Sequence, residues 1–330
     1  YSSLFIAKCQ YIKSMKMQKI EINLMKREKN SMIRGRIHTD LALEAKERYE
    51  EDNVEIRGVC IEEEYNEEKD IRTTLVKIET ENGARAMGRP QGSYLTLEAP
   101  NLSIPDEGYH REISEELARQ VKKLIPEKKE LTVLVVGLGN RQVTPDALGP
   151  DVVDNLKMTR HIILEYGAQA MGEQNMYQVS GLVPGVMAQT GMETLEIVKG
   201  VINETRPDVV IVVDALAARS TKRLNRTIQI TDTGIIPGSG VGNHRNGLTK
   251  ETLGVKVIGI GVPTVVDAAT IVQDSMEKLL QTLEEKEKKE FLEEMIPPAL
   301  YSMFVTPKDV DETMKRLSYT ISEGLNRVFC

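Results

Sequence analysis

The sequence predicts an α/β protein in which a mostly parallel or mixed central sheet is flanked by helices on both faces (α/β/α). Three observations lead there. Leu131-Thr-Val-Leu-Val-Val-Gly137 is an uninterrupted apolar and β-branched run, the pattern of a strand buried on both faces rather than of a half-exposed one. Pro207-Asp-Val-Val-Ile-Val-Val-Asp214 repeats the design, and Gly254-Val-Lys-Val-Ile-Gly-Ile-Gly-Val262 repeats it again. Between the first two lies an amphipathic stretch, Met192 to Glu204, with Leu195, Val198 and Ile202 on one face. Strand, helix, strand in that order implies parallel pairing with right-handed crossovers.

Taken in order, residues 1 to 36 are basic, rich in Met and without sustained periodicity, so no fold is assigned to them. The first 40 residues hold nine Lys or Arg against three acids, which leaves the rest of the −7 chain strongly acidic. His38-Thr39-Asp40-Leu41-Ala42-Leu43-Glu44 reads as a helix start, with Thr39 or Asp40 as cap and Glu44 in the first turns at the positive end of the dipole. Val54 to Ala99 is strand-like, with Ile71 to Thr80 and Ser93 to Ala99 the clearest runs; Glu62-Glu63-Glu64 and Glu67-Glu68 read as a solvated face. A helix is predicted from Arg111 to Leu124, on the spacing of Ile113, Leu117, Val121 and Leu124. After the central strand comes a helix from Asp151 to Leu156, then a loop from Ser180 to Gly191. The strand ending at Asp214 precedes a second loop, Thr233 to Gly247, with five glycines in fifteen residues. The third buried strand is read as ending at Pro263-Thr264 and passing into a helix near Asp267, which continues into the charged run Glu284 to Glu290. Phe304 to Glu312 opens a last helix packing Met314, Leu317, Ile321 and Leu325.

Composition excludes several functions. Aromatic residues are 4% with no Trp, and the body is acidic, so neither base stacking nor phosphate attraction supports direct nucleic-acid binding. No run reaches the length of a membrane span and the N-terminus lacks a signal-type apolar stretch, which points to the cytoplasm and to no membrane partner. Cys9, Cys60 and Cys330 are too dispersed for a metal site or a disulfide framework. Gly137-Leu-Gly-Asn-Arg-Gln142 falls short of a dinucleotide loop because Gln142 stands where the third glycine belongs, and no Walker loop occurs, so no cofactor is predicted. There is no G-x-S-x-G and no H-E-x-x-H; His38, His110, His161 and His244 are scattered, and only His244 lies in a glycine-rich loop.

The carboxylates remain. Asp146 follows Gly137-Leu-Gly-Asn140 within a sharp turn, and Asp214 ends the second buried strand. Two acids brought together repel each other, so that one retains a proton while the other activates water, a route to peptide hydrolysis without a nucleophilic side chain. The competing reading is structural, since an Asp at a strand end commonly caps the next helix. Gly137, Gly139, Asn140, Gly240, Gly242 and Asn243 would give close backbone approach around the pair. A metal-dependent peptidase using Asp146, Asp214 and His244, and a non-catalytic ligand-binding module, are the alternatives.

At these residues the sequence resembles the germination protease family of spore-forming bacteria. The segments that carry the resemblance are Thr39 to Glu44, Gly137 to Asn140 with Val143 to Pro150, Gly181 to Gly191, Val213 to Ala217, Gly240 to Asn243 and Val262 to Asp267. The family is similar in core fold to the hydrogenase-maturation peptidases. The resemblance implies an aspartic-type endopeptidase whose two essential acids fall on Asp146 and Asp214, with no metal and no cofactor. It implies a zymogen that removes residues 1–40 by cutting between Asp40 and Leu41, leaving 41–330 as a single catalytic domain. It further implies a homotetramer in the spore core, with small acid-soluble spore proteins as substrates.

Overall fold

The computed structural model describes residues 41–44, 57–167, 177–238, 246–280, 291, 295–297, 299–300 and 303–330. Residues 42–44 are helical. There follow β1 (Val59–Asn66), β2 (Ile71–Ile78), α1 (Glu81–Met87), β3 (Gly92–Glu98), α2 (Glu107–Leu124), β4 (Thr132–Gly137), a 3-10 turn at Thr144–Asp146, α3 (Leu148–Asp154), α4 (Arg160–Tyr166) and β5 (Gln178–Leu182). Then come α5 (Met187–Thr190), α6 (Thr194–Thr205), β6 (Val209–Ala218), a second 3-10 turn at Thr221–Arg223, β7 (Thr227–Thr231), α7 (Lys250–Leu253), β8 (Lys256–Asp267), α8 (Ala268–Leu280), β9 (Phe304–Val305) and α9 (Val310–Phe329).

The strands of the described residues form one mixed sheet in the order β1-β2-β3-β7-β8-β6-β4-β5, with β9 pairing the far end of β8. Its parallel half is β5, β4, β6 and β8; its antiparallel half is β7, β3, β2 and β1. The two halves meet at β7 and β8. The apolar runs read from the sequence are the centre of the parallel half, where successive side chains serve opposite faces. Val133, Val135, Ile211 and Val213 join the core under α2, α3 and α9, whereas Leu134, Val136, Val210 and Val212 join a second core with Val198 of α6 and Leu253 of α7.

On the first face, Ile113, Leu117 and Val121 of α2 share one core with Met314, Leu317, Ile321 and Leu325 of α9, as their spacing predicts. A Cβ on Gly324 would stand 2.7 Å from Leu117 Cδ2, so the two helices are in close contact there. Leu117→Ala would leave a cavity in this seam and is expected to lower unfolding free energy by about 2–5 kcal/mol, measurable by urea denaturation.

The structure corrects several boundaries. The first helix of the pair begins at Glu107, a turn before the predicted Arg111, because the Asp106 side chain accepts the Tyr109 N–H at 3.1 Å and caps it. The helix α3 likewise starts at Leu148 rather than Asp151. The glutamates Glu62 to Glu64 are exposed as predicted, but on an edge strand, where charge discourages pairing with another chain. The short strand β7 and the start of the loop at Ser180, which is in β5, escaped the sequence reading. Most consequential are β6 and β8. The former runs four residues past Asp214, so that acid lies within a strand and not at its end. The latter runs through Pro263 to Asp267. Proline is tolerated there because the register shifts at that point: Leu216 faces Pro263 and Ala217 faces Val265, leaving Thr264 as the extra residue of a bulge. Among the described residues no helix is long and apolar enough to cross a membrane.

Candidate active site

The last residue of β4, Gly137, lies opposite Val213 of β6, so Asp214 sits one residue past the level at which β4 ends. The loop carrying Asp146 leaves β4 at that same edge. Asp146, in the turn that follows β4, and Asp214, in the neighbouring parallel strand β6, therefore lie at the same carboxyl edge of the sheet, where open α/β folds place their ligands.

The loop is held against β6 by backbone contact. The Leu138 N–H donates to the Val213 carbonyl at 2.8 Å. A Cβ on Gly149 would lie 2.3 Å from Leu138 O, 2.5 Å from Leu138 N and 2.5 Å from Val213 O; one on Gly137 would lie 2.2 Å from Gly149 O. Only glycine fits at either position without moving the main chain. Gly139 adopts φ +116°, a region L side chains rarely enter, and its Cβ would meet the Asp146 carbonyl at 1.9 Å. Asn140 organises the rest. Its N–H donates to Asp146 Oδ2 at 2.8 Å, and its side-chain oxygen accepts the Gln142 N–H at 3.0 Å and the Gln189 amide at 3.1 Å. Pro145 lies in the first positions of the 3-10 turn. The bulge on β8 then closes the arrangement: the Thr264 hydroxyl, carried by the extra residue, donates to the Pro145 carbonyl at 2.6 Å. That residue had no signal in the sequence, since its role depends on a register shift.

Asp146 is half-buried and Asp214 is buried. The helix that follows Asp146 has Ala147 at its cap position and no side-chain cap, while the Asp146 carboxylate turns back to Asn140. Helix capping does not account for Asp146. The Asp214 Oδ1 accepts the N–H of its neighbour Ala215 at 2.9 Å within an uninterrupted strand. Capping does not account for it either.

Of the supporting residues, Gly137, Gly139 and Asn140 are placed in this loop. Gly240, Gly242, Asn243 and His244 lie outside the described residues, as does Asp40. Before and after the stretch 240–244 of the sequence, Ile235 and Leu248 exchange N–H to carbonyl bonds of 3.1 and 2.8 Å. Among the described residues no three His, Cys, Asp or Glu side chains are grouped to hold a metal ion.

Leu41 is seated near the site. It is completely buried and packs with Leu216 and Ala218 of β6. Ala42 is equally buried, among Val76, Ile78, Met87 and Tyr94, and its N–H donates to Gln229 Oε1 at 2.7 Å. Glu44, read from the sequence as a helix-start residue, is buried with its carboxylate accepting the Arg219 N–H at 2.8 Å and the Ser220 N–H at 3.0 Å, and Arg223 Nη1 lies 3.6 Å away. These partners are some 175 residues distant in sequence, so no local pattern announces them.

A family model described as germination protease matches residues 37–283. The chain belongs to the germination protease family. Its peptidase relatives include germination proteases of Caldanaerobacter subterraneus subsp. tengcongensis, 47% identical over 307 residues, and of Clostridium tetani, 44% identical over 308 residues. These alignments cover 88% of this chain and 93% and 94% of the two relatives. A germination protease of Bacillus cytotoxicus is 39% identical over 345 residues, covering 88% of this chain and 92% of the relative. The family match takes in the whole loop of Asp146, the strand of Asp214 and the segment Leu41 to Glu44.

Asp267, at the end of β8, also lies in the matched range. It is buried, and burial pushes its carboxyl up from 3.8 to about 6. The unfolded chain then releases this proton near pH 4 while the folded chain retains it until about pH 6. This group's contribution to stability is thus full below about pH 4, and up to about 2–3 kcal/mol of it is lost as pH rises from about 4 to 6. Asp267→Asn is expected to remove this contribution. Thermal melts of the variant minus wild type, between pH 3.5 and 7, should show the difference growing through that window and flat above it.

Proposed function

We propose that this germination-protease-family chain is an endopeptidase made as a self-processing zymogen, in which Asp146 and Asp214 activate a water molecule on a peptide carbonyl. The observation that supports it best is the backbone interlock of Gly137, Gly149 and Val213, which holds the turn of Asp146 against the strand of Asp214 at one sheet edge, with neither acid serving as a helix cap. One carboxylate takes a proton from the attacking water as the other donates its proton to the carbonyl oxygen; on collapse the first passes its proton to the departing amine and the second recovers one from a hydroxyl of the tetrahedral intermediate, so the pair ends each turnover as it began. A main-chain N–H of the Gly137 to Asn140 loop holds the developing oxyanion in this reading. Residues 1–40 are the propeptide, the cut falls between Asp40 and Leu41, and 41–330 is the catalytic domain. Its substrates are small acid-soluble spore proteins, met in the spore core during germination, and it works as a homotetramer.

The test is intact mass against time for the purified chain under mildly acidic conditions, with and without a chelator. Loss of residues 1–40 at a rate indifferent to chelator is the expected result. A cut abolished by chelator and restored by a divalent cation moves the chemistry to a metal, and no cut at all removes the self-processing reading.

Residues 1–40 carry nine basic residues against three acids, while the rest of the chain is strongly acidic. The leader's charge is therefore proposed to help keep the zymogen shut. A synthetic 1–40 peptide added to the processed form is expected to inhibit it, and to do so several-fold less at 0.5 M salt than at 0.02 M, as screening shortens the reach of the charges.

A further inference from the structure

The segment Leu41 to Glu44 is a peptide already lying in a built receptor. We infer that the residues holding it are the binding sites for the polypeptide on the far side of the scissile bond, and that Arg223 with the Arg219 and Ser220 N–H groups selects an acidic side chain at the fourth residue after the cut. This rests on the proposed cut between Asp40 and Leu41.

The direction of the segment supports it. Asp214, Leu216 and Ala218 are alternate residues of β6 and share one face. Leu41 packs on the last two, and Glu44 reaches Arg219 and Ser220 just beyond the strand. Followed backwards from Glu44 to Leu41, the chain runs along β6 towards Asp214. The bond before Leu41 thus lies on the catalytic side, and the residues after it lie along the strand in order.

Each position has its own chemistry. The first is an aliphatic surface of Leu216 and Ala218. The second is crowded by Val76, Ile78, Met87 and Tyr94, with Gln229 Oε1 taking the peptide N–H, so it suits a residue no larger than Ala. The fourth is an acid receptor. Arg223 is itself buried, and its Nε is engaged by Glu98 Oε1 at 3.2 Å, which leaves the Nη1 end aimed at the Glu44 carboxylate. Two convergent N–H groups and an oriented guanidinium match a carboxylate and disfavour a neutral amide or a cation. Before the cut the segment is tethered at both ends. Afterwards it is tethered at one, and the receptor becomes available to another polypeptide of the form apolar, small, any residue, acidic.

The test uses the self-processed protein and two 12-residue peptides spanning Arg36 to Glu47, one with the natural sequence and one carrying Glu44→Gln. The expected kcat/KM ratio is at least tenfold in favour of the natural peptide. Arg223→Gln is expected to bring that ratio to within about twofold of one, whereas Arg223→Lys keeps part of it. A merely structural arginine would lower cutting of both peptides in proportion and leave the ratio unchanged, which would overturn the assignment. The wild-type ratio stands without any variant, so misfolding of Arg223→Gln does not spare the idea. Equal cutting of the two peptides by wild-type protein overturns this inference alone; no cutting of either overturns the endopeptidase reading and this inference with it.

Discussion

Asp214→Asn and Asp146→Asn are each expected to slow cutting at Asp40-Leu41 by about 10³-fold or more, within or above the range for loss of a positioned acid or base. Both replacements keep the size of the side chain and an oxygen that accepts a hydrogen bond. The Ala215 N–H can still donate to residue 214 and the Asn140 N–H to residue 146, so these two hydrogen bonds of the folded state are retained. Stability is accordingly expected to change by no more than about 1 kcal/mol. The measurement is intact mass against time for each variant beside its thermal melt. Cutting that persists at more than a tenth of the wild-type rate in either variant would remove that acid from the chemistry. Loss of cutting together with loss of the melt would assign it to the fold instead. The two variants should also fail alike, and their double variant should be no worse than either, because the residues of a catalytic pair act as one unit.

Gly149→Ala is expected to have the second large effect, for a purely geometric reason. The new methyl group would meet three main-chain atoms at 2.3–2.5 Å, Leu138 O, Leu138 N and Val213 O, and none of them is the free end of a flexible side chain. The strand, the loop or the helix α3 must move. Overpacking costs about 1–3 kcal/mol, with the upper end expected where main-chain atoms are met, and a displacement of about 1 Å at the acid loop is enough to lose about 10²-fold in rate. Gly200→Ala supplies the contrast. It lies on the exposed side of α6 with nothing within 4 Å of its built Cβ, and is expected to raise stability by about 0.5–1 kcal/mol with the rate unchanged. Urea midpoints and cutting rates for the pair of variants separate a helix-propensity effect from the clash at the interlock.

Strands β4, β6 and β8 of the parallel half were legible because they are buried on both faces, and such strands write themselves as continuous Val, Ile and Leu runs, whereas β5, at the edge, was not. Helices α2 and α9 were legible from their 3.6-residue spacing. Strand β7 was not, because Thr-Ile-Gln-Ile-Thr is short and alternates like many loop borders; only its position between β3 and β8 buries both of its sides. Asp146 and Asp214 drew attention as acids beside apolar runs, yet Asp214 was taken for a strand end. The four residues beyond it are small or apolar, as loops and strands both allow, and the pairing with β8 that extends β6 lies over 40 residues downstream. Thr264, Gln229 and Arg223 could not be found from the sequence at all. Each acts on a residue more than 100 positions away, through a register shift or a turn that exists only once the sheet has formed.

The burial of Leu41 has a consequence for the order of events. Hydrolysis of the bond before it converts an amide nitrogen into an α-ammonium, an ion of pKa near ~7.7–8 that is mostly protonated at neutral pH. Leu41 is wholly buried, so the new charge forms away from bulk water, where it would be far better hydrated. The same reaction that severs the leader thus turns the best-seated residue of the segment into one that prefers solvent. Maturation acquires the character of a one-way valve: resealing the bond would require that ion to be dehydrated again, and the chain end, once out, has little tendency to go back.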